Sequence, residues 1–451
     1  MNSEWKYCFP EANVKHLARI NSNYCPLLLA LDNPPIRTGE WPFRFQPIWL
    51  SHGSFPPIVR DAWEGNQHNV QNAISIFTSK VREWNMVEFG NIFWKKRNLL
   101  ARLSGVKKAL AHNPSQRMIN MHSCLSEELD KIMSLEEELW GIKARIDWLI
   151  QGERNTTFFY LSTLIRRSYN RINRIMKADG EWEEDIARVK EIFINGFERL
   201  YKSDQEACLR TPDRIPIWGH YLFELEARNL AISPSDAEFV FALKSMKAFK
   251  APGLDGLHAG FFQWFWLIVG ESVKFEIKIF FSTKKIPELL NKTLIVLIPK
   301  KLGTETISHF RPISLCNTIY KIVTKILVNR LKHLMPTLVS PSQTAFVLGR
   351  RGTDNVIIAQ ELVYTIERKK GKEGFMIIKI DLEKACDRFE WSFVKSMLVS
   401  LGFHSDPMEL ILSCISTTSP ALLFNGDQIG EICPSRGLRQ GDLISPYIFI
   451  P

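Results

Sequence analysis

The stretch from Gly374 to Trp391, GFMIIKIDLEKACDRFEW, constrains this chain more than any other. Phe375 to Ile380 reads as a short apolar strand that delivers one carboxylate, Asp381, at its end. Beyond it Ala385, Phe389, Phe393, Met397 and Leu401 recur every fourth position, the stripe of a helix that Gly402 is placed to close. A carboxylate at the end of a buried strand needs a partner, because an unpaired buried charge is costly. Two partners fit. A divalent cation such as Mg²⁺ takes carboxylate oxygens together with substrate phosphates. The backbone N–H groups of the following helix could instead be capped by Asp381. On this segment alone the cap is the simpler reading.

A second stretch reaches the same question from another side. LIVLIP, inside residues 293–299, is a strand of buried type with Lys300 and Lys301 at its tip, and Arg311 returns after a turn in FRPISL. Two cationic side chains on one hairpin can clamp a triphosphate, Arg as a planar fork and Lys as a point charge. An ordinary charged turn is the alternative. A helix from Thr318 to Leu334 follows. Further on, residues 421–437 read as a β-hairpin with Asn425-Gly426 at the turn, and GLRQGDLISPY then starts a helix.

The N-terminal half is mostly helical. Residues 34–60 are rich in Pro and aromatics and read as an extended linker that packs its rings. Helical patterns run through 69–112 and 121–150, strongest in 134–159, where Leu135, Leu139, Ile142, Ile146, Leu149 and Ile150 share a face and Gly152 can close the helix. Arg166, Arg167, Arg171 and Arg174 then crowd together among Tyr160, Tyr169 and nearby Phe residues. Such a strip suits a phosphate backbone and unstacked bases, or else a solvated helix face. DGEW at 179–182 reads as a turn, and Ser233 to Asp236 as a helix start. KAPGLDG at 250–256, near Lys247 and Lys250, is a Gly-rich turn, and a plain turn is the better reading of it alone.

Composition enters only as a bound. The 451 residues carry 58 Lys and Arg against 48 Asp and Glu, a net charge of +10, which suits nucleic acid and also plain solubility. Eight scattered cysteines without C-x-x-C spacing show no zinc motif and suit a reducing compartment. The N-terminus shows no secretory signal, which points to an intracellular site, nucleus or cytoplasm. FFQWFWLIVG at 261–270 is about half the ~20 residues a membrane span needs, so no membrane partner is expected.

Together, IDLEKACDRFEW and RGLRQGDLISPY resemble motifs A and B of reverse transcriptases, most closely those of LINE-type (non-LTR) retrotransposons in the form found in plants. KAPGLDG, IPK with FRPISL, and SQTAFVLGRRGTDN at 342–355 resemble the motifs that precede them. The resemblance implies an RNA-directed DNA polymerase that binds an RNA template, a DNA primer and a dNTP. It implies an α+β fold, with a helical N-terminal region followed by the fingers and partial palm of a right-hand polymerase. The expected divisions are an endonuclease remnant (1–33), a linker and helical extension (34–230), and a reverse transcriptase domain (231–451).

By the same resemblance Asp381 is the first catalytic carboxylate and, with the backbone carbonyl of Leu382, a ligand of Mg²⁺. Asp387 is expected to pair with Lys384 and Arg388 instead. Lys300 or Lys301, Arg311, Cys386, Gln440 and Gly441 fall to the nucleotide, with Arg439 able to meet phosphate. Arg166, Arg167, Arg171, Arg174, Arg350 and Arg351 fall to nucleic acid. Cys386 stands where the family has Tyr or Phe under the sugar, so weaker discrimination against ribonucleotides is expected.

The family's Ala-Asp-Asp motif has no counterpart in this sequence, so the chain is expected to be truncated before it and inactive as a polymerase. The apolar run Cys25 to Leu31 is expected to be the last strand of an endonuclease/exonuclease/phosphatase-type domain, without partner strands nearby. Ser22, Asn23 and Tyr24 stand where that family has Ser-Asp-His, and neither Asn nor Tyr can replace the charge or the base. Two other readings remain: a non-catalytic nucleic-acid-binding remnant, and a group II intron maturase-like splicing factor. The wording of FRPISL and GLRQGD favours the LINE type.

Overall fold

The computed structural model describes residues 13–16, 27–30, 42–144, 156–203, 221–301, 303–371 and 374–450, and the chain divides into two units, 1–42 and 43–451. In the first, β1 (Asn13–His16) pairs antiparallel with β2 (Leu27–Ala30), Asn13 opposite Ala30 and His16 opposite Leu27. The apolar run expected to stand alone therefore has a neighbour. NVKH is too short and too polar to announce itself as a strand. Ser22, Asn23 and Tyr24 lie outside the described residues, as do residues 145–155 with Gly152.

The second unit mixes helices with a four-stranded sheet. A Pro- and aromatic-rich segment leads into helices α1 (Phe55–Trp63), α2 (Val70–Trp84), α3 (Ile92–His112), α4 (Gln116–Ala144) and α5 (Thr156–Tyr169). Phe45, Trp49, Phe55, Phe77 and Trp84 are buried in one cluster with Phe261 and Phe265 from later in the chain. The Trp63 indole donates to the Ser272 hydroxyl at 3.0 Å, which satisfies the one polar atom its burial would orphan. The small β3 (Ile175–Met176) and β4 (Trp182–Glu183) pair across the DGEW turn, where Gly180 takes φ 86°.

Helix α6 (Ile186–Tyr201) begins at Asp185, whose carboxylate accepts from the Ala187 N–H at 3.0 Å. Val189, Phe193, Phe197 and Tyr201 fall at i, i+4 spacing and are buried against Ile295, Leu297, Phe310, Leu422 and Phe424 of the sheet. Each such side chain gains roughly 1.5–3 kcal/mol from leaving water, so this face is a main anchor of α6. Then come α7 (Glu224–Ala231), α8 (Asp236–Lys244), α9 (Ala259–Trp264) and α10 (Trp266–Thr283). At the start of α8, Ser235 and Glu238 form a reciprocal capping box. Arg330 grips Glu238 at 2.7 and 2.9 Å.

The sheet runs in the order β6 (Phe310–Cys316), β5 (Thr293–Pro299), β7 (Pro420–Phe424), β8 (Asp427–Glu431). β5 pairs antiparallel with β6 from Thr293 opposite Cys316 to Pro299 opposite Phe310, and parallel with β7. A central strand with both faces covered explains why LIVLIP is a continuous apolar run. Asn425 and Gly426 close the β7–β8 hairpin at φ 50° and 97°, the left-handed pair a tight hairpin demands. The Asn425 side chain also accepts from the Ile172 N–H at 2.9 Å and donates to its C=O at 2.7 Å, tying the turn to the strip before β3. Helix α11 (Thr318–Leu331) follows β6 and is buried along most of its length.

Two expectations fail around Asp381. Residues 374–382 form no strand and are exposed throughout, Ile378 at 73% and Ile380 at 78%. A strand needs a neighbour's N–H and C=O groups, and among the described residues none pairs with this run. Nor does a helix follow at once. Lys384 takes φ 52°, a 3-10 turn spans Cys386–Arg388, and α13 (Trp391–Ser400) starts only after Glu390. Helix α12 (Gly352–Arg368), just before, has no buried residue. The chain closes through α14 (Ser405–Ser416) and α15 (Ser445–Phe449). Among the described residues no helix is long and apolar enough to cross a membrane.

Candidate nucleotide site

The loop Arg436–Asp442 is held from three sides. β6 is an edge strand, so alternate N–H groups face away from β5; that of Ser314 donates to the Gln440 carbonyl at 2.7 Å. On a second side lies the turn 384–390. Leu438 N–H donates to Cys386 C=O at 2.7 Å, Gly437 N–H to Phe389 C=O at 2.8 Å, and Arg436 and Glu390 form a β-bridge. The third side is the end of α6. The Tyr201 carbonyl accepts from Ser435 N–H at 2.9 Å, and Arg436 Nε donates to Leu200 C=O at 3.0 Å. Segments far apart in sequence thus meet through backbone hydrogen bonds.

Glycine makes the approach possible at two positions. Gly437 sits at φ 98°, and a Cβ there would stand 2.8 Å from the Asp387 carbonyl and 3.0 Å from the Tyr201 ring. Gly441 sits at φ 102°, and its Cβ would meet the Ser314 carbonyl at 3.0 Å. An L side chain is strained at either φ and would also push the loop off its supports.

Inside this frame Gln440 Nε2 donates to both oxygens of Asp387, at 3.0 and 3.1 Å, and the Tyr201 hydroxyl donates to Asp387 Oδ1 at 3.5 Å. Asp387 is 1% exposed. Burial raises its pKa above the ordinary value, against the opposing pull of the Gln440 bond, the Lys384 charge, the Tyr201 bond and the Lys300 charge. Lys300 also acts on Lys384, so the tip of β5 and this turn share one electrostatic field. The expected ion pairing of Asp387 with Lys384 and Arg388 is replaced by these hydrogen bonds, with Lys384 acting through its charge.

Arg439 does not face phosphate. It is 8% exposed and pairs with Asp442 at 2.9 Å. It also donates to Asn291 Oδ1 at 2.7 Å, Thr293 Oγ1 at 3.0 Å, the Cys414 carbonyl at 2.8 Å and the Tyr320 hydroxyl. Tyr320 in turn donates to Asp442 at 2.6 Å. This buried network, absent from the sequence reading, pins the loop to α11 and to the start of β5. The charged letters of RQGD suggest a solvent-facing role; the signal against it is the pairing at i, i+3 inside a run that also carries buried Leu438 and Ile444.

The remaining residues separate by what already engages them. Arg311, Lys300 and Lys301 are exposed on the β5–β6 hairpin, and Cys386 is half-buried with its thiol pKa raised by burial. Arg166 donates to the carbonyls of Ala144 and Lys143, closing the described end of α4. Arg350 donates to the carbonyls of Gln343 at 2.7 Å, Pro336 at 2.9 Å and Val339 at 3.2 Å, bracing its own loop. Arg174 stacks on Trp182 at 4.3 Å and pairs with Glu184 at 3.4 Å. Arg167, Arg171 and Arg351 are exposed.

Asp381 and Leu382 lie in the exposed run, and among the described residues no hydrogen bond or ion pair reaches the Asp381 carboxylate. Among the described residues no three His, Cys, Asp or Glu side chains gather to hold a metal ion. One carboxylate and one backbone carbonyl do not by themselves make a Mg²⁺ site.

The reverse transcriptase (RNA-dependent DNA polymerase) family model matches residues 298–450, the span that holds the β5 tip, the 384–390 turn and the loop 436–442. The likeness to reverse transcriptases is concentrated in residues 298–450. The chain is 26% identical to the Transposon TX1 uncharacterized 149 kDa protein of Xenopus laevis, over 97% of this chain and 34% of that protein. It is 22% identical to the RNA-directed DNA polymerase from mobile element jockey of Drosophila melanogaster, over 85% of this chain and 43% of that protein. A Pol polyprotein from the type-1 retrotransposable element R2 of Popillia japonica is 27% identical over 34% of this chain and 21% of that protein. The chain spans a third of the TX1 protein's length and under half of jockey's. These relatives support the LINE-type reading. The TX1 and jockey matches reach well beyond residues 298–450, and α6, which borders the site, lies outside that span.

Proposed function

We propose that this chain is the fingers and part of the palm of a LINE-type RNA-directed DNA polymerase, and that it grips an RNA template, a DNA primer and a dNTP. The observation that carries the reading is the convergence on loop 436–442 of β6 and the 384–390 turn, with Gln440 at the junction. Arg311 and Lys300 on the adjoining hairpin supply cations for a triphosphate, a fork and a point charge. Arg167, Arg171 and Arg351 supply exposed charge for the nucleic-acid backbone.

A second element of the proposal is that these 451 residues bind without extending. In-line nucleotidyl transfer uses two metals about 4 Å apart, which one lone carboxylate cannot hold. The plant origin and the likeness of residues 1–33 to the end of an endonuclease domain belong to the same proposal. They rest on the wording of the motifs and of residues 22–31.

Titration of the chain with an RNA template–DNA primer duplex, followed by primer extension with Mg²⁺ and dNTPs, tests both elements. We expect binding whose affinity falls with salt, and no extended primer. The double variant Arg167→Ala/Arg171→Ala should reduce the salt slope by about two, one released counterion per lost phosphate contact. A duplex affinity indifferent to these substitutions contradicts the assigned interface, and cDNA synthesis contradicts the binding-only element.

A further inference from the structure

The Asp387–Gln440 pair does more than close a gap between two motifs. A carboxylate only accepts hydrogen bonds, whereas an amide side chain presents a donor end and an acceptor end. Asp387 offers both oxygens to Gln440 Nε2, at 3.0 and 3.1 Å, and therefore fixes which end of the amide faces it. The planar amide then turns Oε1 away from Asp387, and among the described residues no hydrogen bond reaches that oxygen. Asp387 is itself held: buried, bonded by the Tyr201 hydroxyl at 3.5 Å, and set in a turn whose Cys386 carbonyl accepts from Leu438 N–H at 2.7 Å. Tyr201 belongs to α6, which lies outside the matched span.

We propose that Asp387, steadied by Tyr201 of α6, is a positioning residue that presents the Gln440 amide to the nucleotide with its acceptor end outward. The inference rests on the reading of Gln440 as a nucleotide contact. It adds that a residue of the neighbouring motif and a helix outside the matched span set the orientation of that contact. The ligand group so recognised is a hydrogen-bond donor, as a sugar hydroxyl is. In the Asp387→Asn variant an amide of the same shape replaces the carboxylate and can donate as well as accept, so Gln440 is no longer held one way round. The steric fit is unchanged, which separates orientation from packing.

The test is equilibrium binding of dTTP with Mg²⁺ to the full chain, by calorimetry, for wild type, Asp387→Asn, Gln440→Ala and the double variant, with thermal melts on each. Asp387→Asn should lose about tenfold in dTTP affinity with no fall in melting temperature. Gln440→Ala should lose a similar factor, and the double variant no more than either single one, because both remove the same contact. Tyr201→Phe should lose a smaller factor in the same direction. Losses that add in the double variant, or an Asp387→Asn affinity equal to wild type while Gln440→Ala falls, overturn the inference and leave the nucleotide site standing. A wild-type chain that does not bind dTTP overturns the site reading and the inference with it.

Discussion

Asp387 holds a charge where the protein resists one. Its pKa is raised, chiefly by burial, so the folded chain binds its proton more tightly than the unfolded chain does. The contribution to stability is therefore complete below the ordinary aspartate range, near 3.8, and is lost as pH rises through the raised folded value. The Asp387→Asn substitution mimics the protonated form at every pH. Melting curves of Asp387→Asn against wild type should coincide near pH ~3.5 and separate as pH approaches ~7, with the variant the more stable; a gap that closes with rising pH contradicts this. The sequence shows two aspartates in DLEKACD and offers no means to tell which one is buried. Spacing reports the local face, whereas the partners of Asp387, Gln440 and Tyr201, come from 53 and 186 residues away. Arg439 misleads for the same reason: its partners Asn291 and Tyr320 are distant in sequence, and an isolated Arg in a Gly-rich loop looks like a phosphate ligand.

At the scale of elements, local chemistry is legible wherever an element carries its own signal. Asn425-Gly426 marks the β7–β8 turn, Ser235 marks the start of α8, and the unbroken apolar LIVLIP marks a central strand. Phe375 to Ile380 carries as strong a strand pattern and forms none, because a ladder is made by a neighbour and not by propensity. The result is an arm, α12 with residues 369–371 and 374–382, that displays Val356, Ile357, Ile358, Met376 and Ile378 to solvent. Backbone this exposed, with no buried side chain to hold it, is open to a protease. Limited trypsin digestion should cut at Arg368, Lys369, Lys370 or Lys379 before it cuts at Lys325 or Arg330 in the buried helix α11. Early cleavage within α11 would contradict the packing described for both.

For the whole molecule, the helical N-terminal region is not a mere preface to the span that resembles reverse transcriptases. Its helix α6 covers one face of the sheet and ends against the loop 436–442, so the site is built from both. The sequence places the motifs in order but cannot show that α6 reaches them, since the stripe Val189, Phe193, Phe197, Tyr201 says only that some apolar face awaits it. If the β5–β6 hairpin, the 384–390 turn, the end of α6 and the loop 436–442 make one nucleotide site, a bound nucleotide should quiet them together. Amide hydrogen exchange of the full chain, with and without dTTP and Mg²⁺, reads all four segments at once. Slower exchange on adding nucleotide, concentrated in 311–316, 384–390, 436–442 and the end of α6 at 198–201, is the predicted result. Unchanged exchange in those four segments, with protection appearing elsewhere, would contradict it.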